Sequence, residues 1–434
     1  MDVTAQALET TLATLTPHVR PASDANAVAG VRPRVVVEPE TEEQVAAILR
    51  YANTERLAVI PCGGATQQAL GTPPTRADII LSLARLNQII EHAPHDLTLT
   101  AQAGVRLVDL QQALGAAHQW LALDPPLNAG ATLGGLISTN VSGARRLRYG
   151  GVRDQIIGVR VALADGTIAR GGGKVVKNVA GYDLPKLFTG ALGTLGVILS
   201  ANFRLYPLPD HSATALLASD DLSTLGAVAL RILAAPLTPT ALDISSPTAS
   251  GEPYLLAARI QSGVRASVDE QVSAICGATI ATGATIQPTL TGDDEARFWD
   301  DRQAPFTARP ADGDAITTTI KASLLPTDVV GWLTELEALR TNGSLAAPWQ
   351  AHAGHGLIFA RLTGTPQAVI SAIGDLRHAA IQRHGSLVIT DLPAALVDAI
   401  DPWGPIPALS IMRNLKARFD PNGILNPGRF VGGL

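Results

Sequence analysis

The sequence predicts an α+β protein of at least two domains, and three observations carry that prediction. Short β-branched runs alternate with helical periodicity and glycine turns up to about residue 211. The turn Ala164-Asp165-Gly166 lies between strand-like runs at 156–163 and 167–169, the signature of a tight antiparallel hairpin, so a purely parallel sheet is excluded. From Ser212 the glycine-dense loops give way to strands at Tyr254–Ile260, Thr317–Ala322, Leu357–Leu362 and Leu387–Ile389. With helical stretches between them, strand–helix–strand recurs twice, as in a ferredoxin-like α+β layer.

In chain order, residues 1–30 form an N-terminal segment in which Leu8, Leu12 and Leu15 mark one face of an amphipathic helix before a loose stretch from Pro21 to Gly30. Residues 31–211 form the first domain. There Val35–Val37 reads as a strand, Thr41 and Gln44 as a capping box for a helix through Tyr51, and Leu57–Ile60 as a strand running into Pro61-Cys62-Gly63-Gly64-Ala65-Thr66-Gln67. Leu97–Thr100 alternates like a strand, Leu107–His118 has helical spacing, and Pro125-Pro126 stops regular structure. Residues 212–400 form a second domain, and 401–434 a turn-rich C-terminal segment.

Composition narrows the function. A net charge of −5 gives no general attraction to nucleic acid or anionic lipid. Cys62 and Cys276 are the only cysteines, which excludes a disulfide framework, a CxxC redox pair and a cysteine-ligated iron–sulfur cluster, so redox chemistry needs a borrowed cofactor. No run approaches the roughly 20 apolar residues of a membrane span. The expectation is a cytoplasmic chain without an integral anchor, reaching the inner face of the plasma membrane only through partners.

Four segments are rich in glycine and small polar residues: Pro61–Gln67, Asn128–Tyr149, Gly171–Asp183 and Thr189–Val197. A dinucleotide pyrophosphate needs backbone N–H groups brought close without interference from Cβ atoms, and Gly63-Gly64 with Thr66, directly after a strand, meets that need. A lone Gly-Gly pair is also a plain turn; the second segment adds the weight. In Ala131-Thr132-Leu133-Gly134-Gly135, Thr132 can cap a short helix, while Ser138, Asn140 and Ser142 offer neutral polar groups suited to ribityl hydroxyls or an isoalloxazine edge rather than to a metal. No GxGxxG opens a helix in a strand–helix–strand unit, which disfavours a nicotinamide cofactor.

These residues, with Gly143, Arg148-Tyr149-Gly150 and Arg153-Asp154, resemble the FAD-binding half of the vanillyl-alcohol-oxidase and p-cresol-methylhydroxylase family over about residues 30–210. Within it, the run from Lys174-Val175-Val176-Lys177-Asn178-Val179-Ala180-Gly181-Tyr182-Asp183 to Gly196-Val197-Ile198 is similar to glycolate oxidase flavoprotein subunits, as is the tail from Lys416 to Arg429. The resemblance implies a two-lobed FAD-binding domain, a ferredoxin-like cap, and a tail returning to the flavin with Asn426 nearest it. It implies that Cys62, Gly63, Gly64, Ala65, Thr66 and Gln67 wrap the pyrophosphate. Ala131, Thr132, Gly134, Gly135, Ser138, Asn140 and Gly143 would line the flavin, and Gly196, Val197 and Ile198 the adenosine side. Cys62 replaces an arginine common in the family's loop, and Ala65 stands at both the loop's second glycine and the histidine of covalent members, so noncovalent FAD is expected.

For catalysis, Ala351-His352-Ala353-Gly354-His355-Gly356 resembles a fragment of the family's His-Ala-Gly-Asp-Gly-Asn run without its Asp and Asn. His352 and His355 are candidate bases for a hydroxyl proton or ordinary loop histidines. Arg145, Arg146 and Arg148 form a basic cluster that suits a phosphate, a substrate carboxylate or a partner. Three functions stay open: the FAD subunit of a glycolate oxidase complex with a second flavoprotein and an iron–sulfur subunit, which the eroded motif favours; a self-sufficient D-2-hydroxyacid dehydrogenase; or a subunit that keeps the fold without turnover.

Overall fold

A computed structural model of the chain describes residues 5–126, 128–175, 181–249, 251–279, 282–302, 315–341, 343 and 345–434. The segment Val176-Lys177-Asn178-Val179-Ala180 lies outside the described residues. The chain divides into two units: residues 1–142, 151–208 and 405–434 in the first, and 143–150 with 209–404 in the second. The division at 208/209 and 404/405 stands beside the sequence boundaries at 211/212 and 400/401; the short segment 143–150 had no such sequence marker.

The first unit has two main sheets. In one, β1 (Val19–Pro21), β2 (Val35–Val37), β3 (Val59–Cys62) and β4 (Ile79–Ser82) lie in the order β1-β2-β4-β3, with β2, β4 and β3 parallel and β1 antiparallel on the edge. The N-terminal helix is shorter than its leucine spacing suggests, spanning Ala5–Leu12. Leu8 and Leu12 are fully buried in this unit's core, while the chain after Leu15 turns to supply β1. Thr41 caps the helix Glu42–Thr54 by accepting from Gln44 N at 3.2 Å. The reciprocal arm of that cap lands one residue early, on Glu40 N.

The second sheet is antiparallel, with β5 (Ile89–Ala93), β6 (Thr98–Gln102), β8 (Ile156–Ala162), β9 (Ile168–Gly172) and β10 (Val197–Arg204) in the order β5-β6-β10-β8-β9. The Asp-Gly hairpin joins β8 to β9, and β7 (Gln119–Trp120) pairs separately with β11 (Tyr206–Pro207). The tail is fastened to β3: Val59 N donates to Ile424 O and Asn426 N to Val59 O. Behind it, half-buried Lys416 donates to Asp420, Thr194 O and Leu425 O, while Asp420 accepts from Ile424 N and Leu425 N.

In the second unit, β12 (His211–Ser219), β13 (Ala241–Ser245), β14 (Tyr254–Ser262), β15 (Thr285–Ile286), β16 (Ile316–Ser323), β17 (Trp349–His352), β18 (Leu357–Gly364) and β19 (Ser386–Asp391) make one sheet ordered β15-β12-β14-β13-β17-β18-β16-β19. It comprises two β-α-β-β-α-β repeats. Helices Leu222–Ala234 and Arg265–Thr279 serve the first, and Val329–Thr341 and Pro366–Gln382 the second. Their inner strands β13 and β17 pair antiparallel at the seam. This is the α+β organisation read from the sequence, with the repeats fused edge to edge.

Alternation along the strands gives the sheet one apolar and one polar face. Ile244, Leu256, Ile320, Trp349, Ala351, Ile358 and Ala360 join the helices in a core that includes fully buried Trp332, whose indole N–H donates to Leu376 O at 2.9 Å. By the same register Asp243, Ser245, Gln350, His352, Phe359 and Lys321 share the opposite face.

Candidate functional site

Strand β3 ends in the loop Cys62–Gln67, and this loop forms one wall of a cleft of about 860 Å³ in the first unit, its open mouth included. The size is of the order that holds a bound organic cofactor. The opposite wall comes from Ala131–Gly135 and the helix Leu133–Thr139, and the floor includes Leu192, Gly193, Gly196, Val197 and Ile198. Asn426 and Arg429 of the tail complete the lining. Thr132 caps the helix by accepting from Gly135 N, and the helix closes on Asn140 in a left-handed conformation.

Close backbone approach accounts for the glycines. A Cβ on Gly64 would lie 1.6 Å from the carbonyl oxygen of Gly130, and one on Gly63 2.1 Å from Oγ1 of Thr132. Any side chain there would push the two walls apart. Four non-glycine residues in or beside the cleft also take positive φ: Ala65 (56°), Asn140 (51°), Leu192 (50°) and Asn426 (46°). For an alanine or leucine that conformation costs about 1–2 kcal/mol, the kind of strain that collects at binding sites.

The candidate cofactor residues therefore separate by position. Cys62, Gly63, Gly64, Ala65, Thr66, Gln67, Ala131, Thr132, Gly134, Gly135, Ser138, Gly196, Val197, Ile198 and Asn426 meet at one cleft. Asn140 ends the helix behind the wall, with Oδ1 buried and unpaired, and does not line the cleft. Gly143 belongs to the second unit. Arg429 was not singled out from the sequence, although it sits in the quoted tail. A cation directly after the Asn426-Pro427-Gly428 turn was its available signal.

On the polar face of the second unit, Asp243 and His352 are cross-strand partners at the β13–β17 seam. The carboxylate is fully buried and Oδ1 lies 2.8 Å from His352 Nδ1, while Gln350 Nε2 donates to Oδ2 at 2.6 Å. Burial alone would raise the Asp243 carboxyl, but the His352 ring, Gln350 and the nearby Arg302 outweigh it and hold the group below its ordinary value. Asp243 thus stays ionised and directs a His352 Nδ1–H toward itself, leaving Nε2 as the ring's other functional atom. Asp243 was missed in the sequence. Its signal was an acid inside the apolar strand Ala241–Ser245, which a fold tolerates only when paired.

His355 differs. Its ring centroid is 5.2 Å from that of His352, and both ring nitrogens are buried with no side-chain hydrogen-bond partner among the described residues. Burial, with repulsion from His352, pushes it down to about 3, partly offset by Asp243 and the Gly143 backbone. It is neutral at physiological pH and too weakly basic to match a proton-transfer task there. Residues 143–150 join this unit because Leu147 packs on Gly354, where a Cβ would meet it at 2.6 Å. They bring Arg146 toward Lys321, whose ammonium is lowered by burial first and by Arg146 second, and which has no ion pair among the described residues. In the run that begins at Lys174, Lys174 pairs with Glu91, and Lys177 lies outside the described residues.

Comparison with known proteins decides the family. The FAD binding domain family matches residues 33–172, and the C-terminal domain of FAD linked oxidases matches residues 405–430. The chain is 28% identical to the glycolate oxidase subunit GlcD of Bacillus subtilis, covering 92% of this chain and 88% of that one. It is 31% identical to the mitochondrial D-2-hydroxyglutarate dehydrogenase of Bos taurus, covering 92% and 77%. The chain belongs to the family of FAD-linked 2-hydroxyacid oxidoreductases. Its fold is shared with substrate-bound p-cresol methylhydroxylase, at a TM-score of 0.76 and 16% identity over 99% of this chain and 97% of that structure.

FAD is the family's cofactor, and the cleft fits it: paired loops admit backbone N–H groups, neutral polar side chains line it, and none of the described lining residues is acidic. Gly64→Ala should therefore lose most bound FAD, read as the ratio of flavin to protein absorbance, while far-UV circular dichroism stays near wild type. Full flavin content in that variant would remove the cleft from consideration.

A second expectation concerns acid. His355 is held uncharged in the fold but protonates freely when unfolded, so its effect on stability is absent above pH 6.5 and grows as pH falls from 6.5 toward 3. Thermal unfolding of His355→Gln should lose less stability than wild type between those limits, by about 3 kcal/mol at pH 4.5. Identical acid sensitivity would mean that the ring is solvated.

Proposed function

We propose that this chain is the FAD-binding subunit of a complex that oxidises glycolate or a close 2-hydroxy acid and passes the electrons to partner proteins. The observation that carries the reading is a chain with an FAD cleft and only two cysteines, which cannot build its own iron–sulfur exit. The resemblance to a glycolate oxidase subunit supports the substrate class. A second flavoprotein and an iron–sulfur subunit are the partners this chemistry asks for. Cys62–Gln67 and Ala131–Gly135 would hold FAD, noncovalently, since Ala65 offers no linking atom. Bound FAD supplies the two-electron acceptor for oxidation at the hydroxyl-bearing carbon.

The chain's own part in substrate chemistry would fall to the polar face of the second unit. Asp243 fixes the tautomer of His352, so Nε2 can take the hydroxyl proton, and Lys321 on the same face supplies an unpaired cation for a carboxylate. Those residues favour a second reading, a self-sufficient D-2-hydroxyacid dehydrogenase. His355, standing where the family run has Asp, supplies neither charge nor base, and this favours the complex.

Acid precipitation of purified protein should leave yellow flavin in the supernatant; colour in the pellet would contradict noncovalent attachment. Dye-linked glycolate oxidation by this chain alone, by the partners alone and by all three should show high turnover only in the full mixture. In that mixture His352→Asn should lower kcat by about 10²-fold or more if His352 is the base. Equal turnover by the isolated chain and the complex would replace the first reading with the second.

A further inference from the structure

We infer that Arg429 supplies the counter-charge to the pyrophosphate of FAD, so that cofactor binding clamps the C-terminal segment onto the first unit. The inference rests on FAD as the cofactor and is independent of the substrate. Arg429 is 4% exposed and stands in the cleft wall. Its Nη2 donates to Gln68 O at 2.9 Å and Leu70 O at 2.6 Å, gripping the end of the Cys62–Gln67 loop. Its Nη1 is buried with no hydrogen-bond partner among the described residues.

A buried guanidinium with an unpaired nitrogen is costly, and the cost is relieved by an anion. The cleft supplies none from the chain, since Arg429 is the one charged residue among the described lining residues. Cys62 lies nearby, but burial pushes its thiol up, so it stays neutral at physiological pH. Burial also pushes Arg429 down to about 10, with Cys62 offsetting this only in part, and the guanidinium keeps its charge. The anion must then arrive with the ligand, and FAD carries its negative charge at the pyrophosphate. A bidentate guanidinium suits a phosphate better than a lysine would.

Position adds a consequence. Arg429 is three residues beyond Asn426, whose backbone N–H is bonded to Val59 O and whose side chain donates to Leu192 O. The same short tail thus touches β3, the floor of the cleft and the glycine loop. An anion on Nη1 would satisfy that nitrogen and hold residues 405–434 in place.

The test uses the full-length chain freed of flavin, in wild type, Arg429→Met and Arg429→Lys. Titration with FAD, followed by flavin fluorescence, should show affinity reduced about 10- to 100-fold in Arg429→Met and less in Arg429→Lys. Inorganic pyrophosphate should raise the Tm of the flavin-free wild type and not that of Arg429→Met. FAD should increase hydrogen-exchange protection over 409–425 in wild type more than in Arg429→Met. The inference is overturned if Arg429→Met binds FAD within about threefold of wild type, or if pyrophosphate stabilises both proteins equally or neither. Should Arg429→Met fail to fold, wild type decides alone: no stabilisation by pyrophosphate overturns it.

Discussion

The cofactor-binding unit depends on two stretches of backbone passing closer than side chains allow. Gly64 lies against the Gly130 carbonyl and Gly63 against Thr132, so the loop after β3 and the loop before the helix Leu133–Thr139 form facing walls rather than separate turns. That spacing turns a strand exit and a helix entry into a cleft lined by backbone. Its cost shows in the left-handed conformations of Ala65, Leu192 and Asn426, which the surrounding hydrogen bonds must offset. Leu192 N donates to Ser138 O, and Asn426 donates to Leu192 O, so the strained residues hold one another.

The tail makes this arrangement cooperative. Lys416 and Asp420 form a buried pair whose remaining hydrogen bonds are taken by backbone, the condition under which a buried ion pair is tolerable. From that anchor the chain extends alongside β3 and delivers Asn426 and Arg429 to the cleft. Residues more than 350 positions from the glycine loop thereby become part of the same site.

The second unit solves a different problem. Two β-α-β-β-α-β repeats share one sheet, and their seam carries a buried carboxylate opposite a histidine. An acid at such a place destabilises the fold unless it is fully paired, and His352 with Gln350 provides the pairing. The result is a fixed histidine orientation on a rigid strand, which a surface loop could not supply. Lys321 lies on the same face, its ammonium lowered first by burial and then by Arg146.

The sequence by itself determined the α+β class, the hairpin at Asp165-Gly166, the helix caps at Thr41 and Thr132, and most of the cleft, because glycine pairs after strands and capping residues act locally. It located Asn426 through a resemblance in the tail. Only the tertiary structure decided the rest. Asp243 became visible when β13 paired with β17, since a single acid in an apolar strand has no meaning until its partner 109 residues away is placed. His352 and His355, three residues apart in one motif, were separated by burial and pairing: one faces a carboxylate, while the other is buried with no side-chain hydrogen-bond partner among the described residues. Gly143 left the cofactor cleft because Leu147 packs in the second unit, a choice made by side-chain packing that glycine spacing does not encode. Arg429 gained its significance in the same way, through the burial of one guanidinium nitrogen that no described residue satisfies.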